Sequence, residues 1–127
     1  EYKFMWSTPS AGAPIVSIAS YGITFNNAVI EILKRPKKIM IGYDDEKKLS
    51  YKALYKDDEF NARSFDFIDR ERNGYVRIGN KDFIKYLSNR TGIDFTRSVR
   101  YFGEWDEKEG LLIIDLKAPL EGFDTDK

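Results

Sequence analysis

Neither cysteine nor histidine occurs anywhere in the 127 residues. Their absence removes disulfides, the usual zinc sites, thiol and Ser–His nucleophiles and any imidazole acid or base, so most hydrolase mechanisms are excluded. A glycine-rich phosphate loop is missing as well. Apolar runs fall far short of a membrane-crossing helix and no charged-then-apolar leader is visible, which makes a cytoplasmic protein with no membrane partner the expectation. Charge of one sign is also lacking: 21 basic residues balance 21 acidic ones, so any electrostatic signal must be local. What is present favours folding, because 42% hydrophobic and 15% aromatic residues give a chain of this length ample material for a core.

The neutral total hides alternating blocks. Residues 31–56 and 76–103 each carry a balance of +4, whereas 57–75 carry −3 and 104–127 carry −5. Such blocks are ordinarily solvated faces and turns, and become a binding signal only if the fold gathers them.

Along the chain, residues 1–14 read as a flexible lead-in, with Met5 a candidate start. Ile15 to Ser20 alternates as a strand, Tyr21-Gly22 turns and Ile23 to Phe25 resumes it. Asn26 or Asn27 can cap a short helix through Leu33, stopped before Pro36. Lys38 to Tyr43 and Leu49 to Ala53 form a second hairpin around an acidic turn. The order then recurs. Ser64 to Asp69 is expected to be extended, Asn73-Gly74 to turn, Tyr75 to Ile78 to form a strand, and Asn80 to cap a helix running toward Thr91-Gly92. Strands at Val99–Tyr101 and Leu111–Leu116 follow, with Asp106-Glu107-Lys108 between them as a turn.

Asn26 to Leu33 aligns with Asn80 to Leu87, and Asp45-Glu46-Lys47 with Asp106-Glu107-Lys108. The expected fold class is therefore α+β, mainly β: one ββαββ unit over 15–56, a second over 57–117, and an acidic tail over 118–127. Forty residues expose too much apolar edge to stand alone, so the two copies are expected to pair, as a monomeric pseudo-dimer or within a homodimer.

A hairpin, a short capped helix and a second hairpin with an acidic turn resemble the AbrB-type swapped-hairpin family. The resemblance rests on Gly22-Ile23-Thr24-Phe25, the helix to Leu33 and Ile39 to Asp44 in copy one. In copy two it rests on Gly74 to Ile78, the helix to Leu87 and Leu111 to Ile114. It implies a pseudo-two-fold barrel with interleaved hairpins and a transcriptional regulator that binds duplex DNA near the first hairpin turn. Those positions hold Arg70, Arg72 and Arg77 in copy two, but Ser17, Ser20, Tyr21 and Thr24 in copy one. Lys37 and Lys38 after the first helix, with Arg97 and Arg100 after the second, are expected to complete a basic face. Lys34 and Arg35 are assigned instead to the helix dipole.

The competing expectation is a protein-interaction module, such as an inhibitor, antitoxin or accessory factor, that meets a protein partner through an acidic surface mimicking DNA. No catalytic residue, metal or cofactor is expected. Asp69 to Val76 resembles the start of a calcium loop, but Asn80 stands where a bidentate glutamate is needed and two arginines intervene, so a hairpin turn is the simpler reading. Asp57-Asp58-Glu59 and Asp106-Glu107 read as turns, because contiguous acids point in different directions. Tyr43, Tyr101, Phe102 and Trp105 could form a stacking platform, but cross-strand packing is the expectation for aromatics on a sheet.

Overall fold

The computed structural model describes residues 12–44, 48–54, 63–64 and 66–120, of which 48–54 and 63–64 are described by their backbone alone. Alternating apolar residues build the first hairpin, β1 (Ile15–Ala19) and β2 (Gly22–Phe25), in the expected place. Asn26 then caps α1 (Asn27–Leu33): its Oδ1 accepts from Val29 N and also from Ile15 N, both at 3.1 Å, so one side chain fixes the helix start to the sheet. The chain continues through β3 (Lys38–Asp44), β4 (Lys48–Leu54), β5 (Arg63–Ser64), α2 (Phe67–Arg70), β6 (Val76–Gly79), α3 (Lys81–Thr91), β7 (Val99–Phe102), β8 (Glu104–Asp106) and β9 (Leu111–Asp115).

The fold is mixed α+β and consists mainly of antiparallel strands. A four-stranded sheet has the order β6-β2-β1-β7, and a five-stranded sheet the order β5-β3-β4-β9-β8. The expected barrel is not closed, because the strands divide between these two sheets and each sheet keeps two edges. At Gly103 the chain leaves the first sheet for the second, packed closely on Leu112: a Cβ there would stand 2.9 Å from Leu112 Cδ1 and require that side chain to shift. One core lies between the sheets. Val16, Ile18, Ile23 and Phe25 meet Ile39, Leu112 and Ile114, with α1 and α3 contributing Leu33 and Leu87. Each such side chain contributes about 1.5–3 kcal/mol when fully buried.

Ser64 to Asp69 is the main departure from expectation. Its second half is not a strand but α2, started by Asp66, whose side chain accepts from Ile68 N at 3.0 Å. Phe67 explains why: it is fully buried and stacks on Phe25 at 5.8 Å between centroids, an insertion that a continued edge strand would not provide. The Asn73-Gly74 turn does form, with both residues at positive φ and reciprocal backbone hydrogen bonds between Arg72 and Tyr75. Asn80 precedes α3 but makes no side-chain cap, because its backbone, at φ −160° and ψ 60°, is not in the capping conformation.

The lead-in through residue 11, the turn residues Asp45-Glu46-Lys47, the cluster Asp57-Asp58-Glu59 and the tail from residue 121 lie outside the described residues. Ala13 and Pro14 already belong to the fold, accepting from Asn26 Nδ2 and Gly103 N. Leu120 N donates to Arg100 O beside β7. Among the described residues, no helix is long and apolar enough to cross a membrane.

Candidate nucleic-acid interface

Strand alternation gives the four-stranded sheet two unlike faces. Val16, Ile18, Ile23, Phe25, Val76, Ile78 and Tyr101 point into the core. The residues between them form the outer face, and the registers align them: Arg77 pairs with Thr24, Thr24 with Ser17 and Ser17 with Arg100. The result is a polar row with an exposed arginine on each edge strand. Three strand spacings separate β6 from β7, so the two arginine backbones stand about 14 Å apart.

One step further along the same face are Ile15 and its partner Phe102, while Tyr75 lies two residues before Arg77 and keeps the outward alternation of β6. Tyr75 and Phe102 are each 55% exposed. Each edge of the sheet thus offers an aromatic ring about 7 Å along the strand from an arginine. The Arg77 guanidinium lies over the Tyr21 ring at 4.8 Å from its centroid, a cation–π contact that orients it at the turn end of the face. Thr24 Oγ1, in the middle of the row, is buried without a hydrogen-bond partner among the described residues.

Of the cations expected to meet DNA, the fold brings Arg77 and Arg100 into one row and places the others elsewhere. Arg97 is exposed in the loop before β7, near Asp94. That carboxyl is held below its ordinary range chiefly by hydrogen bonds from Thr96, with a smaller effect of the Arg97 charge. Arg70 is exposed on α2, whereas Arg72 turns its Nη1 back onto the Asp69 and Glu71 carbonyls, both at 2.8 Å, and so braces the turn. Lys37 is exposed just ahead of β3, and Lys38 begins that strand in the other sheet, opposite Ser64. Arg35 is structural: its Nε donates to Glu71 at 2.8 Å and its Nη2 reaches both Glu71 and Glu31 at 3.2 Å. The Glu71 hydrogen bond is the main cause that raises the Arg35 pKa, and the same bond lowers that of Glu71.

Charge counting does not single out Tyr21 and Tyr75, and Phe102, expected to pack inside, stands on the surface. The alternation of β6 and β7 carries that signal, since Tyr75 and Phe102 share the parity of Arg77 and Arg100. Tyr101 is buried as expected. Tyr43 and Trp105 are half-buried against the core, and Tyr43 meets Tyr86 edge-on at 6.1 Å. Among the described residues, no group of three His, Cys, Asp or Glu side chains is placed to hold a metal ion. Comparison of the chain with protein-family models, curated proteins and solved structures finds no match.

Proposed function

We propose that the chain is a small non-enzymatic DNA-binding protein of the transcriptional-regulator kind, holding DNA against the outer face of its four-stranded sheet. The observation that carries this reading is the registered row Arg77–Thr24–Ser17–Arg100. In a chain of zero net charge, exposed cations at both ends of one polar row are where a phosphate backbone would be neutralised. Ser17, half-buried between Thr24 and Arg100, adds a hydroxyl that can hydrogen-bond to phosphate or sugar.

The same reading takes the molecule as two ββαββ units that exchange strands about a pseudo-two-fold axis. Its support is the pairing scheme: β3 pairs with β5 as β7 pairs with β1, while β2 pairs with β6 and β4 with β9. The second unit then differs from the first by α2 and its turn, inserted between β5 and β6; Arg72 keeps the place beside the Asn73-Gly74 turn that the family resemblance implies, and Arg70 stands on α2.

Fluorescence anisotropy with labelled DNA, offered as duplex and as single strand over a salt series, tests the proposal. Binding should weaken with a log–log salt slope of about −0.7 to −0.9 per neutralised phosphate, and Arg77→Ala with Arg100→Ala should make the slope shallower by about two such units. Absence of binding to either form at low salt, or binding that the double substitution leaves unchanged, would reject it. A protein-interaction module is the second reading, favoured by the balance of −5 over residues 104–127, which suits a basic partner. Deletion of residues 118–127 should abolish a nuclease-resistant complex if that reading holds.

A further inference from the structure

We infer that the DNA held on this face is single-stranded, with one base stacked on Tyr75, another on Phe102, and the intervening backbone running beside the arginine row. This inference rests on the DNA-binding reading above and adds the form of the substrate. In a duplex both faces of every base are already covered by its neighbours, so protruding rings find nothing to stack on, whereas an unpaired strand offers a π-face at each base.

The geometry favours the second case in three respects. The rings are equally exposed, at 55%, and stand at opposite edges of one sheet, Phe102 on β7 and Tyr75 immediately before β6, rather than in a continuous apolar patch. Each has an arginine two residues away on its own side of the sheet, Tyr75 with Arg77 and Phe102 with Arg100, and the Arg77 guanidinium itself lies over Tyr21 toward the turn end of the face. Between them the rows hold Thr24, Ser17, Asn26 and Ile15 and no acidic side chain, so the path is electrostatically complementary to a polyanion. The span of about 14 Å accommodates about four stacked nucleotides at about 3.4 Å each.

The test uses the full chain with a fluorescein-labelled ten-nucleotide thymidine strand and with a duplex of equal length, at low salt. The strand should bind at least ten-fold tighter than the duplex. Tyr75→Ala and Phe102→Ala should each weaken strand binding about five-fold or more, while Tyr75→Phe, which keeps the ring, should not. Both rings are exposed, and an unchanged near-ultraviolet circular dichroism spectrum outside the substituted ring's own signal would show that the variants fold. If the duplex binds as well as the strand, or if ring removal is silent while Arg77→Ala with Arg100→Ala abolishes binding, the single-strand inference falls and the DNA reading survives. If neither form binds, the DNA reading itself fails and takes the inference with it.

Discussion

At Gly22 the backbone runs at φ +153°, and a Cβ would run into the Ile78 carbonyl oxygen while standing 3.0 Å from Asn80 N. Both obstacles are backbone of β6 and its exit, so no side-chain rotation relieves them. Gly22→Ala should therefore destabilise the fold by about 3 kcal/mol, seen as a lower urea midpoint with unchanged slope. Tyr101 presents the opposite case: its ring is buried and its hydroxyl has no hydrogen-bond partner among the described residues. An orphaned buried hydroxyl costs about 1–3 kcal/mol, so Tyr101→Phe should raise stability. Burial first, and the Asp115 charge second, push the Tyr101 pKa up to about 12 from its ordinary 10.0. The folded state therefore keeps a proton that the unfolded chain releases, and stability present below pH 10 declines as pH rises toward about 12. Urea midpoints between these limits should fall by less in Tyr101→Phe than in the wild type; an equal fall in both would contradict the assignment.

Among the elements, strands with strict alternation and helices with a capping asparagine were legible from residues alone, as β1, β2, β3 and α1 show. α2 was not. Four residues are too few to display a helical period, and the Phe65, Phe67 spacing imitates a strand. What decides the matter is distant in sequence: Phe67 must reach Phe25, and Phe67 N donates to Pro36 O at 3.1 Å. Glu71, directly after α2, is then held by Arg35 beyond the end of α1. Because the ion pair lowers the Glu71 pKa from its ordinary 4.5, its stabilising effect is present above that pH and fades as the carboxylate protonates below it. Both groups are partly solvated, so a double-mutant cycle of Arg35→Met and Glu71→Gln should give a coupling below about 1 kcal/mol at pH 7, vanishing toward pH 2. A coupling that persists in acid would mean that packing, not charge, joins the two segments.

For the whole molecule, periodicity says which residues face inward but not which strand lies beside which, and the candidate site is made by the second kind of information. Ser17, Thr24, Arg77 and Arg100 each fall on a polar parity that can be read locally; only the registers of β1 with β7 and β2 with β6 set them in one row. Those pairings, like β3 with β5 and β4 with β9, join residues before 57 to residues after it. Buried side chains from both parts enter one core, so neither part can cover its apolar face without the other. Fragments 1–56 and 57–127 should each lack near-ultraviolet circular dichroism and a cooperative melt when prepared alone. Mixed in equal amounts they should recover both signals, with a midpoint that rises with concentration because association and folding are then one event. The intact chain should melt in a single transition independent of concentration. A fragment that melts cooperatively alone would show that one part forms a core of its own, and the exchange of strands proposed for the two units would then lose its physical cause.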